Sequence, residues 1–125
     1  MSNPKVVFEA APIHAYQLTV PLTLDAYQEQ AKATAVYPYE KADQYLIAGL
    51  AGEVGELASI FAKVWRGDGN LKFPHAAAEL GDVLWFVAML AERLDTDLST
   101  IAQGNLNKLA DRAVRGKLKG NGDNR

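Results

Sequence analysis

Two short segments, GEVGE at 52–56 and AELGDV at 78–83, limit what this chain can be. Each carries two acids three residues apart, Glu53 with Glu56 and Glu79 with Asp82. Both lie in stretches whose apolar residues recur at helical spacing. Leu46, Leu50, Leu57, Ile60, Phe61 and Val64 surround the first pair, and Leu80, Val83 and Phe86 the second. Residues three apart share a helix face, so each pair points one way, from inside an apolar stripe. Carboxylates gathered in an apolar setting repel one another and lose hydration, and are tolerated when cations neutralise them. No lysine or arginine lies within a turn of Glu53 or Glu56. Two plainer readings compete: a solvated, salt-bridged face, and a single buried pair countered by basic residues of the tail. Gly52, Gly55 and Gly81 stand beside the acids, each costing a helix about 1 kcal/mol relative to alanine. They point to close helix approach or room for a ligand.

A metal held by four carboxylates is a hard one: magnesium, manganese or calcium. Zinc would want histidine or cysteine. There is no cysteine, and the two histidines, His14 and His75, lie outside the acid motifs. A di-iron bundle would use Glu-x-x-His pairs. Magnesium completes its shell with water and substrate phosphates, which makes a phosphate ester or anhydride the natural substrate. No Walker-type glycine loop is present, so helices must hold the metal. Positive partners for phosphate come late in the chain. Asn105, Lys108 and Arg112 share a helix face, and Arg115, Lys117, Lys119 and Arg125 follow against Asp111 and Asp123. Lys63 and Arg66 close the helix that carries the first acid pair. Arginine forks suit phosphate oxygens, although basic residues at a helix C-terminus also complement its dipole.

The rest of the chain reads as an antiparallel four-helix bundle with no strands in its main domain. Residues 1–22 have no helical period and form an N-terminal extension, an arm or short strands around Pro12. The helical domain spans 23–115. Its first helix is capped by Thr23, with Leu24, Tyr27, Gln28 and Ala31 on one face, and is broken by Pro38. The second runs from about Asp43 to Trp65 and ends at two glycines. The third follows Pro74 to about Leu94 and, apolar nearly all round, is the most buried. The fourth opens at Asp97 or Ser99 and ends near Arg115. Residues 116–125 form a glycine-rich basic tail, expected to be mobile when nothing is bound. A net charge of −2 gives no footprint for a nucleic-acid polymer. The absence of cysteine fits a reducing compartment. The start of the chain is unlike a signal peptide, and the longest apolar run, Val83 to Ala91, is short of the ~20 residues of a membrane span. A cytoplasmic protein is expected.

In order, LAGEVGELA, WRGDG, AELGDVLWFVAMLA, NLNKLADR and a GNGDNR end resemble the MazG-like nucleotide pyrophosphohydrolases of the all-α NTP pyrophosphatase superfamily. The likeness covers roughly residues 24–125. It departs at Gly52, where many members carry an additional acid. The resemblance implies hydrolysis of a nucleoside triphosphate to monophosphate and pyrophosphate. Glu53, Glu56, Glu79 and Asp82 would be the catalytic, metal-binding acids, with Mg²⁺ as the ion and Mn²⁺ as its substitute. It also implies a homodimer or a dimer-of-dimers tetramer with sites at subunit contacts. Lys63, Arg66, Asn105, Lys108 and Arg112 would bind the substrate. Trp85, with Phe86, could stack on the base, though an aromatic on a buried helix is more often core. The residues leave open a dimeric dUTPase or phosphoribosyl-ATP pyrophosphohydrolase, and a helical module that binds metal or nucleotide without turnover. House-cleaning of damaged nucleotides, pool balance and alarmone degradation would use the same chemistry.

Overall fold

The computed structural model describes residues 21–123. All but the last two residues of the N-terminal extension lie outside the described residues, as do 124 and 125. Four α-helices follow in order, α1 (Leu24–Lys32), α2 (Ala42–Arg66), α3 (Phe73–Arg93) and α4 (Leu98–Val114), with a 3₁₀ turn at Tyr39–Lys41 leading into α2. Among the described residues there is no strand.

Local chemistry sets the helix ends. The Thr23 hydroxyl accepts the Ala26 amide at 3.1 Å, and the Asp97 carboxylate accepts the Thr100 amide at 2.8 Å, so α1 and α4 open on capped first turns. Pro74 sits in the first turn of α3, where its missing amide proton costs nothing. α2 stops at Gly67, which takes φ 98° while the Asp68 amide reaches back to the Lys63 carbonyl at 2.9 Å.

The short connection 67–72 folds α2 and α3 into an antiparallel hairpin. α3 is the central helix, packing against α1, α2 and α4. The core gathers Leu46 of α2, Phe86, Ala88, Met89 and Ala91 of α3, Ala31 of α1 and Leu98 of α4. It therefore occupies the end of the hairpin that joins the start of α2 to the end of α3. Arg93 and Asp43 tie the same end together, with the Arg93 guanidinium 4.8 Å over the Tyr39 ring. Toward the other end α2 is little covered: Ala42 and Leu46 are its only buried residues. No Cα of α4 comes within 8 Å of α2, so within one chain the four-helix arrangement is open along that side. The stretch Tyr39–Arg66 is long and apolar enough to cross a membrane by length and composition, and little of it is buried in the chain.

One polar residue holds three elements. Gln28, 3% exposed, donates to Glu92 Oε1 at 2.8 Å and to the Thr96 carbonyl at 3.0 Å, and accepts the Leu98 amide at 2.7 Å. Replacing it with leucine keeps volume but strands the buried Leu98 amide. Gln28→Leu is expected to cost about 1–3 kcal/mol in urea denaturation; a loss under about 0.5 kcal/mol would mean the bridge is dispensable.

Candidate active site

The acids stand where the hairpin leaves the core. Glu53 and Glu56 project from the middle of α2, and Glu79 and Asp82 from the first half of α3. Glu53 and Glu79 are half-buried, while Glu56 and Asp82 are exposed. The acids thus line the margin of the hydrophobic core and are open to solvent. Glu53, Glu56 and Glu79 each offer a carboxylate oxygen, and these atoms lie within 4.8 Å of one another. Asp82 lies outside that trio but within its field. Loss of hydration raises the Glu53 pKa first, and the charges of Asp82, Glu56 and Glu79 then add to it. Among the described residues, the charges that shift Glu53 are all negative. Three oxygens at this spacing from two helices, with a fourth acid beside them and no cation in the set, fit a hard divalent ion.

The glycines beside the acids leave space. A Cβ built on Gly52, Gly55 or Gly81 would meet nothing within 4 Å. Of the two explanations for these glycines, room applies within one chain and close helix approach does not. Two further residues bear on the acids, His75 by contact and Tyr27 through the field of Asp82. His75 Nε2 lies 3.3 Å from Glu79 Oε1, one turn away on α3. The i, i+4 spacing could have signalled this contact. Tyr27 of α1 has its hydroxyl pKa raised, first by burial and then by the Asp82 charge, so α1 borders the site.

The expected substrate-binding residues are distributed unevenly. Lys63 is exposed two turns beyond Glu56 on the same side of α2, about 10 Å along the axis. Arg66 closes the helix and pairs with Asp68, its Nε at 2.9 Å from Oδ2. Trp85 donates from Nε1 to Thr34 Oγ1 at 2.8 Å and sets its ring edge-on to Phe86 and Tyr37, at 5.0 and 6.3 Å between centroids. Its place is in an aromatic cluster between α3 and the chain after α1. Asn105 and Lys108 are exposed on α4, and Arg112 is buried there, 4% exposed. Because α4 does not approach α2, a single chain does not lay this basic face on the α2 acids.

The raised Glu53 pKa gives the metal-free protein a pH signature. Folded Glu53 holds its proton more tightly than the unfolded chain does, so stability falls as pH rises past its ordinary value of 4.5. Glu92, held down chiefly by Lys32 and Gln28, acts in the opposite sense and loses stability as pH falls below 4.5. In chelator, the urea midpoint should fall as pH rises above this value. Magnesium should abolish that slope, and its persistence with saturating magnesium would argue against an ion at these acids.

The family model for the MazG nucleotide pyrophosphohydrolase domain matches residues 41–115, from the start of α2 to the end of α4. The chain is 45% identical over 112 residues to the Gene 37 protein of Mycobacterium phage L5, covering 82% of this chain and 98% of that one. No solved structure matches it.

Proposed function

The chain belongs to the MazG nucleotide pyrophosphohydrolase family, and from that premise we propose that it hydrolyses nucleoside or deoxynucleoside triphosphates to the monophosphate and pyrophosphate. The observation that carries this reading is the trio of carboxylate oxygens within 4.8 Å of one another, drawn from two helices and backed by Asp82. Glu53, Glu56, Glu79 and Asp82 would hold Mg²⁺, or Mn²⁺ in its place. When bound, the ion supplies neutralisation of phosphate charge and acidification of a water.

The chain's own groups do the rest. A water attacks the α-phosphorus. The new P–O bond forms as the bond to the bridging oxygen breaks, and pyrophosphate leaves. Glu53, half-buried among the other acids, is the group placed to take the water's proton on its carboxylate. Lys63, Lys108 and Arg112 bind phosphate oxygens, Arg66 adds charge at the end of α2, and Asn105 contacts the sugar or a phosphate. Trp85 serves the base through the wall it builds with Phe86 and Tyr37.

A second copy of the chain completes the site. α4 leaves α2 uncovered, and large apolar residues stay exposed on both: Ile47, Val54 and Trp65 on α2, Ile101, Leu106 and Val114 on α4. Packing these faces between copies would bury them and bring the basic face of one α4 toward the acids of its partner. This also accounts for the apolar length of α2 better than a membrane does, because Glu53 and Glu56 at mid-helix would each cost about 2.5–3.5 kcal/mol there.

The test is product analysis. Purified protein with Mg²⁺ is incubated with the canonical NTPs and dNTPs, and mono- and diphosphates are separated. Monophosphate with pyrophosphate is the expected result. Diphosphate with orthophosphate would place attack at the wrong phosphorus. Nucleotide binding without turnover of any triphosphate would make the chain a binding module.

A further inference from the structure

The tail puts a carboxylate where the proposed substrate would put a phosphate. Turns at Gly116 and Gly120, both with positive φ, bring the chain back along α4. The Lys117 amide bonds to the Arg112 carbonyl at 2.7 Å. Asp123 then meets both basic residues. Its Oδ1 accepts from Arg112 Nη2 at 2.9 Å and from Lys108 Nζ at 3.2 Å, and its carbonyl accepts from Arg112 Nη2 at 3.1 Å. The hydrogen bonds from Arg112 and Lys108, and then their charges, hold the Asp123 carboxyl below its ordinary pKa.

The fit is incomplete on the arginine side. Arg112 Nε is buried and has no hydrogen-bond partner among the described residues. A nearby arginine shows the contrast: Arg115 gives both Nε and Nη2 to Asp111 Oδ2, at 2.9 and 2.7 Å. A guanidinium fork is satisfied by an anion that takes two of its donors, and Asp123 takes only one nitrogen of Arg112. An unmet buried N–H is costly. The Asp123 side chain itself is 79% exposed, so little apolar burial holds it in place. The contact is weak on one side and leaves unmet the donor that a tetrahedral oxyanion could take.

We propose that Asp123 is an internal competitor for the oxyanion site of Lys108 and Arg112, and that an oligophosphate displaces it and releases the tail. This rests on the reading of Lys108 and Arg112 as phosphate ligands and adds how access to them is controlled. With the tail down, one of the two positive charges is offset and both cations are held on a single carboxylate in the absence of substrate. An arriving phosphate chain takes both, and residues 116–123 lift away from α4.

Inorganic tripolyphosphate tests this without turnover. Binding to the full chain is measured by calorimetry, and the mobility of residues 118–123 by backbone ¹⁵N relaxation. In the wild type, tripolyphosphate should raise the mobility of these residues. Asp123→Asn should bind tripolyphosphate roughly fivefold more tightly, the scale of one part-exposed ion pair, and should show a mobile tail before any anion is added. Weaker or unchanged binding by Asp123→Asn would make Asp123 a positioning residue or a bystander and overturn the proposal. So would a tail that tripolyphosphate leaves as rigid as before or stiffens further. Lys108→Gln separates this failure from failure of the parent reading. If it binds tripolyphosphate as tightly as the wild type, Lys108 is no phosphate ligand and the parent reading fails with the proposal. If Lys108→Gln weakens binding while Asp123→Asn does not tighten it, only the competition fails.

Discussion

Glu56→Ala, Glu79→Ala and Asp82→Ala should each lower triphosphate turnover by about 10²–10⁴-fold, the range for removing a positioned catalytic group, while stability in chelator holds or rises. The pairing of those two outcomes is what marks a metal site. An ordinary destabilising substitution lowers activity by unfolding the protein. Here the wild-type acids repel one another, as the upward shift of Glu53 records, so deleting one charge relieves the metal-free fold. The third readout is linkage. An ion that binds the folded chain alone stabilises it by about 2.7 kcal/mol at a hundred times its dissociation constant, and each variant should lose most of that gain. Glu53→Gln adds a finer test, keeping the shape and removing the basic oxygen. It should lose turnover and, on the reading of Glu53 as base, retain more of the magnesium-induced rise in melting temperature than Glu79→Ala. Full turnover in any of the three alanine variants, together with an unchanged magnesium response, would remove that acid from the site.

Features set by local chemistry were the legible ones. Thr23 was readable as a cap, Asp97 as one of two candidates with Ser99, Pro74 as a first-turn residue and RGDGN as the end of α2, because capping depends on a few neighbouring residues. The acid pairs were legible as pairs for the same reason. That Glu53, Glu56 and Glu79 would meet across two helices depends on the register of α2 against α3. The apolar stripe allowed that register without dictating it. Arg112 shows where the reading runs out. Its spacing places it on one face with Lys108 as a phosphate ligand, but does not show that it is 4% exposed and bonded to Asp123, eleven residues on, through glycine turns with no period to read. The tail expected to be mobile contains that contact. Trp85 was equally ambiguous from sequence, because its bond to Thr34 depends on the path the chain takes after α1, which no helical spacing specifies.

Gly49→Ala should destabilise the protein, although alanine is the better helix former by about 1 kcal/mol. A Cβ on Gly49 would overlap Cε1 and Cζ of Phe86 and lie 3.1 Å from its Cδ1. Phe86 cannot swing away freely. It is 7% exposed, with its ring edge-on to Trp85 at 5.0 Å and tilted against Tyr45 at 5.9 Å. Overpacking of this kind costs about 1–3 kcal/mol in a core that is otherwise well filled. In a domain of this size that is a drop in melting temperature of roughly 4–8 °C for each kcal/mol. The effect reaches function through register. The backbone of α2 at Gly49 lies directly against the Phe86 ring of α3, and toward the open end Glu53 and Asp82 stand one turn away and Glu56 and Glu79 about two. A ring forced off its seat shifts Glu53 and Glu56 against Glu79 and Asp82. Gly52→Ala, with nothing within 4 Å of the new methyl, is the control and should leave the fold unharmed or slightly more stable. Adding Phe86→Leu to Gly49→Ala should restore part of the lost stability, since it removes the atoms that collide. If Gly49→Ala melts at or above the wild-type temperature, the α2–α3 contact is looser than this packing requires, and the spacing of the four acids must be fixed from elsewhere in the fold.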